Sequence, residues 1–255
     1  MKLSVAQRRE LHENGFIVVP GVIPPVMIRT ALRAINQSIG DGMSRDDMPK
    51  FRASTFCPEL TATAVITDLL HRTPSWSLSE SAIGPLELHR HGQVNLRFPT
   101  VMDPPPAPIP QIDGIHSPHN GVPKGELFNF TASLGVFLSD ITDVNMGNYT
   151  VWPGSHHIFA EYLREMGPRT LLNGFPVLEL PAPYQITLKA GDIVLSHYLL
   201  AHGTAPNISQ HIRYACFFRL YREEHAKIKW DSITDTLIGW DGVREALGMG
   251  TGALF

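Results

Sequence analysis

The chain has 255 residues, 43% hydrophobic and 18% charged, and this length suffices for a sizeable core without disulfide staples. A net charge of −3 and the lack of a basic block argue against nucleic acid or an acidic membrane surface as the main partner. No apolar run approaches the roughly 18 residues of a membrane span, and the charged N-terminus shows no signal peptide. The two cysteines form no disulfide framework, which favours a reducing cytoplasm.

The first third of the sequence is predicted to be mainly helical. Ser4 is suited to cap a first helix and Gly15 to end it, and Pro24 is suited to open a second helix. The other predicted elements of this part are a short strand at residues 16–19, a loop at 40–58, and helices at 60–70 and 77–83.

From Leu86 onwards the apolar residues follow a period of two, which is typical of strands. Strands are predicted within residues 87–99 and at 132–138, 148–152, 184–189, 193–195 and 213–221, with one helix at 159–166 and a proline-rich surface loop at 103–110. Helices followed by a series of short strands predict an α+β fold with a mainly β core, an antiparallel sandwich or barrel. We expect one domain, with N-terminal helices at 4–84, the β core at 86–222 and a helical tail at 223–255.

Two basic side chains mark residues 191–216, a segment predicted to run strand, turn, strand. His202 ends an apolar run, and Arg213 follows it on the next strand-like stretch. A histidine at a strand end and an arginine on the neighbouring strand can point into one cavity, where they suit a metal ion and a carboxylate. Taken alone, such a pair is more often structural.

A second polar cluster is PQIDGIHSPHNG, residues 110–121. Gln111 and Asp113 are two apart, so on a strand their side chains would share a face. Asp113 precedes Gly114, where a strand can turn and expose its last side chain. Asp113 and His202 could then form two corners of a metal site, although an Asp-Gly turn is the structural alternative.

Four segments together resemble the phytanoyl-CoA dioxygenase family: QIDGIHSPHNGVPKGELFNF, LGVFLSDI, MGNYTVWPGSHH and GDIVLSHYLLAHGTAPNISQHIRYACFFR. ENGFIVVPGVIP followed by a helix extends the resemblance to roughly residues 5–221. The resemblance implies a double-stranded β-helix (a jelly roll) and a non-haem iron enzyme that uses Fe(II) and 2-oxoglutarate to oxidise a small organic molecule. It also implies that Asp113 and His202 bind the iron and carry the catalysis.

The resemblance further implies a set of residues for the co-substrate. Arg213 matches the arginine that holds the 5-carboxylate of 2-oxoglutarate, and Thr204 matches a hydroxyl that supports the same carboxylate. Asn129 and Thr131 fall on the strand that lines the co-substrate pocket in relatives. Arg97 is expected either to face the cavity or to form a salt bridge in its wall.

Gln111 stands where the family carries its first iron-binding histidine. A glutamine offers iron only a neutral amide oxygen, which is a poorer donor to Fe(II) than imidazole. Three interpretations follow: Gln111 ligates weakly, His116 or His119 supplies the imidazole from the next loop, or iron has been lost. The alternative function is therefore a metal-independent enzyme or a small-molecule binding protein on the same fold.

Overall fold

The computed structural model describes residues 1–44 and 46–250. The helices are Val5–Asn14 (α1), Pro25–Gly40 (α2), Met48–Ala53 (α3), Ala64–His71 (α4), Ser75–Ile83 (α5), Ser155–Met166 (α6), His225–Ile228 (α7) and Asp241–Ala246 (α8). The strands are Phe16–Val19 (β1), Gln93–Arg97 (β2), Ala132–Phe137 (β3), Tyr149–Val151 (β4), Tyr184–Gln185 (β5), Ile193–His197 (β6), His202–Thr204 (β7) and Arg213–Leu220 (β8). None of the helices within these described ranges has the length and apolar character to cross a membrane.

Two antiparallel sheets form the core. The larger has the order β1-β6-β3-β8-β2, and the smaller has the order β5-β4-β7. One face of the larger sheet packs on α2, α4 and α5, through buried residues such as Ile35, Ile66 and Leu134. Its other face packs on the smaller sheet, where Phe137 and Ala215 join Val151 in one apolar cluster. The expected α+β jelly roll is confirmed.

Side-chain alternation on β2 and β8 decides which residues reach the space between the sheets. Val94 and Leu96 are buried on the helix side, so Asn95 and Arg97 take the inner face. β8 pairs with β2 in antiparallel register, with Arg97 opposite Arg213. The polar side chains of this pair of strands therefore lie on the inner face, beside Ala215 and Phe217.

Three local expectations are wrong. The predicted loop at 40–58 contains α3, which is too short to show a helical period and is held by Phe51 stacking on Phe56 at 5.7 Å between ring centroids. The strand expected at 184–189 is only two residues long. His202 and Arg213 do not lie on neighbouring strands, because β7 belongs to the smaller sheet and β8 to the larger.

Four histidines, His12, His156, His157 and His197, pack together where residues 231–246 cover α1 and α6. The ring of His156 lies 3.9 Å from that of His157, and its Nε2–H donates to the carbonyl of His12. The ring of His197 stacks on Trp240. Burial lowers the pKa of His197 to about 3 and that of His156 well below its ordinary value. Both rings are therefore neutral in the folded chain at neutral pH.

Lowering the pH from 7 to 5 should reduce the free energy of unfolding. His156 and His197 stay neutral in the folded chain, whereas in the unfolded chain they take up protons below about pH 6.5. Their contribution is fully present above that pH and falls by up to about 1.4 kcal/mol per histidine per pH unit below it. Denaturant unfolding at a series of pH values measures the slope.

The matched pair of variants for this measurement is His197→Gln and His119→Gln. In His197→Gln the slope of the free energy of unfolding against pH should be smaller by up to about 1.4 kcal/mol per pH unit, the contribution of one proton. His119 is an exposed loop residue outside this cluster, so His119→Gln serves as the control. Equal slopes in all three proteins would contradict the assignment of acid sensitivity to the buried cluster.

Candidate functional site

A cavity of about 390 Å³ opens between the two sheets. Its wall is formed by residues of β2, β3, β4, β7 and β8, by the segment around residues 111–120, and by Arg52 of α3. Among the described residues, its charged lining consists of Arg52, Arg97 and Arg219 against a single carboxylate, Asp113. The cavity therefore carries an excess of positive charge.

Asp113 and His202 face one another in this cavity, with Asp113 Oδ1 3.6 Å from His202 Nε2. Gln111 is the direct backbone partner of His202, since each residue donates its N–H to the carbonyl of the other, at 2.8 and 3.0 Å. Side chains of directly opposed residues in an antiparallel pair project to the same face. The structure therefore brings the three predicted metal-binding positions together.

A turn presents Asp113, as the sequence Asp113-Gly114 allows. Only an isolated bridge forms at Gln111, and the chain bends at Gly114 with φ of +77°. A Cβ at Gly114 would lie 2.3 Å from the carbonyl oxygen of Phe128, whose own N–H donates to the Gly114 carbonyl. Glycine at 114 lets the two segments approach closely enough to fix the direction of Asp113.

The second carboxylate oxygen of Asp113 is held by an arginine. Arg219 Nη2 donates to Asp113 Oδ2 at 3.1 Å, and the guanidinium lies over the ring of Phe130. Burial alone would raise the pKa of Asp113, but His202 and Arg219 outweigh it and hold the pKa well below its usual range. Asp113 is therefore ionised at neutral pH.

The tautomer of His202 is defined by its other ring nitrogen. His202 Nδ1 lies 3.0 Å from the carbonyl of Leu200, so the Nδ1–H donates there and Nε2 faces Asp113. Burial lowers the pKa of His202, but the carboxylate of Asp113 raises it by more. An imidazole held in this way presents Nε2 to any cation that Asp113 binds.

Neither loop histidine is brought to this pair. His116 lines the cavity, but its Nδ1 lies at the carbonyl of Val122. His119 is exposed and lies outside the cavity lining. Within residues 1–44 and 46–250, no three His, Cys, Asp or Glu side chains are grouped so that they could hold a metal. Of Gln111, His116 and His119, Gln111 is thus the one whose position adjoins Asp113 and His202.

The co-substrate residues divide between the cavity wall and the layer behind it. Arg97 lines the cavity, and its Nη2 donates to Thr204 Oγ1 at 3.3 Å. Arg213 is 3% exposed and is not part of the lining. Its three hydrogen bonds go to Gly147 O, Asn95 O and Asn95 Oδ1. Arg213 therefore stands behind Asn95, which does line the cavity.

Neither Arg97 nor Arg213 has a carboxylate partner in the described parts of the chain. All of their hydrogen bonds go to neutral oxygens, and no acidic oxygen lies within salt-bridge distance. Burial, with Arg52 as a smaller cause, lowers the pKa of Arg97 to about 10. Burial and the neighbouring charge of Arg97 lower the pKa of Arg213 as well. Two positive charges without counter-ions favour an anion at this place.

Two of the residues expected at the co-substrate lie elsewhere. Asn129 and Thr131 precede β3 and do not line the cavity, because their side chains hold the C-terminal segment. Asn129 Nδ2 donates to the carbonyl of Lys229, and Thr131 Oγ1 contacts His225 Nδ1. Ser133, two residues further along, is the one that reaches the cavity.

Arg219 is the site residue that the sequence analysis missed. It lies on the same face of β8 as Arg213 and Phe217, at a spacing of even numbers of residues. Because side chains alternate along a strand, counting in steps of two from Arg213 places Arg219 on the face between the sheets. Its pairing with Asp113, 106 residues away in sequence, has no local signal.

Solved structures of the same shape support this description of the fold. HygX from Streptomyces hygroscopicus, with nickel and 2-oxoglutarate bound, is 20% identical, with a TM-score of 0.56 over 86% of this chain and 87% of that chain. The non-haem α-ketoglutarate-dependent epimerase SnoN from nogalamycin biosynthesis is 18% identical, with a TM-score of 0.60 over 85% and 82% of the two chains. At this level of identity the likeness shows a common fold. No curated protein is detectably similar in sequence.

The sequence itself carries the family assignment. Residues 11–215, which are most of the chain, match the family described as phytanoyl-CoA dioxygenase (PhyH). This match spans the segment of Gln111 and Asp113, the strand of His202 and the start of β8. The resemblance drawn from the four motifs is confirmed, and the chain belongs to the phytanoyl-CoA dioxygenase family.

Proposed function

We propose that the chain is an Fe(II)/2-oxoglutarate-dependent oxygenase that hydroxylates or otherwise oxidises a small organic molecule in the cavity between its sheets. The observation that carries the proposal is the combination of two charged features at one cavity. Asp113 and His202 form a carboxylate and imidazole pair in the cavity, and Arg97 in its wall, with Arg213 behind that wall, supplies positive charge that has no carboxylate partner among the described residues.

The donor set suits a non-haem iron ion. A carboxylate and imidazole with open positions beside them are the ligand types of such centres. Because the Nδ1–H of His202 donates to the carbonyl of Leu200, Nε2 is the nitrogen that would face the metal, and Asp113 is ionised. Gln111 would add a neutral amide oxygen, so we assign it as a weak third ligand. A site of this kind should bind iron, but less tightly than one with a second imidazole.

The same cavity suits a small dianion such as 2-oxoglutarate. Thr204 lies two residues beyond His202 on β7, roughly 7 Å along the strand, a span comparable to a five-carbon dicarboxylate. Arg97 contacts Thr204 there, and Arg213 lies opposite Arg97 in the strand register. We assign Arg97 and Thr204 as the direct contacts of the distal carboxylate, and Arg213 as the buried charge that supports them.

Bound iron and 2-oxoglutarate would supply the oxidising power, since 2-oxoglutarate and O₂ together yield succinate, carbon dioxide and an oxidised substrate. The protein positions the participants. Tyr198 orients Asp113 by donating its hydroxyl to the Asp113 backbone carbonyl. Phe175 and Phe217 give the cavity apolar surface beside the polar wall, which suits a small molecule with both kinds of group. HygX has also been solved with hygromycin B in place, which supports a small-molecule substrate for this fold.

The metal-independent alternative is not favoured. It rested on Gln111 alone. The ionised Asp113, the oriented His202, and Arg97 and Arg213, which have no carboxylate partner among the described residues, are features that a simple binding cavity does not need. Cys57 and Cys216 are both buried free thiols, which supports a reducing compartment such as the cytoplasm.

Asp113→Ala and His202→Ala should each lower Fe(II) affinity by well over about tenfold and abolish succinate release, because each removes a ligand. Anaerobic calorimetry with Fe(II) and a succinate assay measure the two effects. His116→Ala is the matched control, since it changes a cavity histidine that does not face Asp113. If His116→Ala alone strips the metal, the ligand assignment is wrong. If the wild type neither binds Fe(II) nor releases succinate, the proposed function is wrong as well.

Arg97→Gln and Arg213→Gln should weaken 2-oxoglutarate binding about tenfold or more, because each removes a charge from the anion site. Only Arg213→Gln should also lower the free energy of unfolding, by roughly 2–4 kcal/mol, because three buried acceptors lose their donor. Calorimetry and denaturant unfolding separate the effects, with Arg169→Gln on the outside as control. An Arg97→Gln protein that binds 2-oxoglutarate normally would place the anchor elsewhere.

Gln111→His should tighten Fe(II) binding by about tenfold or more, because imidazole is the stronger donor and the side chain at 111 projects on the same face as His202. Gln111→Ala is the companion variant, and its affinity should fall if the amide oxygen is a ligand. Both are compared with the wild type by anaerobic calorimetry. Identical affinities for all three proteins would show that position 111 does not reach the metal.

A further inference from the structure

We propose that Arg219 controls the metal affinity of this site by binding Asp113, the carboxylate ligand, whenever no metal is present. The inference rests on the proposed function, because it assumes a divalent metal at Asp113 and His202. Arg219 is a positioning residue in this proposal, because it acts through Asp113: it competes with the metal for the carboxylate oxygens of Asp113.

The geometry places Arg219 on the ligand itself. Its Nη2 lies 3.1 Å from Asp113 Oδ2, and its guanidinium carbon lies 5.7 Å from the centre of the Phe130 ring. The other oxygen, Oδ1, is the one that faces His202. An ion pair and a cation–π contact together hold Arg219 in this position.

The charge balance makes this contact decisive for the metal. Asp113 is the only acidic residue in the cavity lining formed by the described residues, and Gln111 is neutral. The anionic charge that the site offers a divalent cation is thus a single carboxylate, and Arg219 already compensates it. A metal that binds there must either displace the guanidinium or sit close to a like charge.

The structure also leaves Arg219 room to move. Its side chain is 41% exposed and borders the cavity, whereas the Asp113 side chain is 27% exposed and its backbone carbonyl is fixed by Tyr198. When a metal binds, Arg219 rather than Asp113 is therefore the side chain that moves away. Once displaced, its guanidinium remains on the cavity wall, where a bound anion can neutralise it. Metal binding should consequently be favoured by 2-oxoglutarate, with Arg219 as part of the coupling.

The test is the affinity for Co(II), a redox-stable probe with a visible absorption spectrum, in the absence and presence of 2-oxoglutarate. Arg219→Gln and Arg219→Met should each bind Co(II) about fivefold or more tightly than the wild type. The gain in affinity from adding 2-oxoglutarate should be smaller in both variants. Arg219→Met keeps an apolar stem over Phe130, so it guards against loss of the fold in Arg219→Gln.

Arg52→Gln is the matched control, because it removes the same charge from the cavity without touching Asp113. The Co(II) affinity of Arg52→Gln should change by less than about twofold. This control separates the effect of direct contact with Asp113 from the effect of the overall positive charge of the cavity. Tight Co(II) binding that is equal in the wild type and both Arg219 variants, or weaker in the variants, overturns the inference and leaves the proposed function standing. No Co(II) binding by any of the proteins overturns both.

Discussion

The site depends on the alternation of side chains along β2 and β8, which is locked by their antiparallel register. Asn95 and Arg97 share the inner face with Arg213 and Arg219, while the residues between them are apolar and face the helices. A slip of one residue on either strand would turn guanidinium groups into the apolar layer and apolar side chains into the cavity. The hydrophobic core thus determines the positions of Arg97, Arg213 and Arg219.

Two arginines of β8 illustrate how the fold tolerates charge inside this layer. The buried Arg213 is surrounded by three fixed oxygen acceptors, so its donors are satisfied, although no acidic group in the described parts of the chain neutralises its charge. The ion pair of Arg219 with Asp113 solves the same problem in the opposite way, through a carboxylate. The two arginines at the ends of β8 therefore differ: Arg213 favours the binding of an external anion, whereas Arg219 already binds the carboxylate of Asp113.

The sequence predicts what local periodicity and caps can encode. The cap of α1 at Ser4, the strand Phe16–Val19 and the alternation in β2 and β8 all follow from neighbouring residues. What it could not show are contacts between distant segments. The pairing of Gln111 with His202, and the division of His202 and Arg213 between two sheets, depend on residues far apart in the chain. Asn129 and Thr131 were misplaced for the same reason, because the tail that they hold lies about 100 residues away.

The proline-rich segment meets the site at one defined point. Gly203 lies against the carbonyl oxygen of Ile109, which would be 2.4 Å from a Cβ there, and the chain then enters the Gln111–His202 bridge. The glycine anchors the segment immediately before the ligand positions begin. This contact separates any change of length or composition upstream of Ile109 from Gln111 and Asp113. Residues 103–110 contribute nothing to the cavity lining formed by the described residues, so the proline-rich segment can vary without altering the groups that line the cavity.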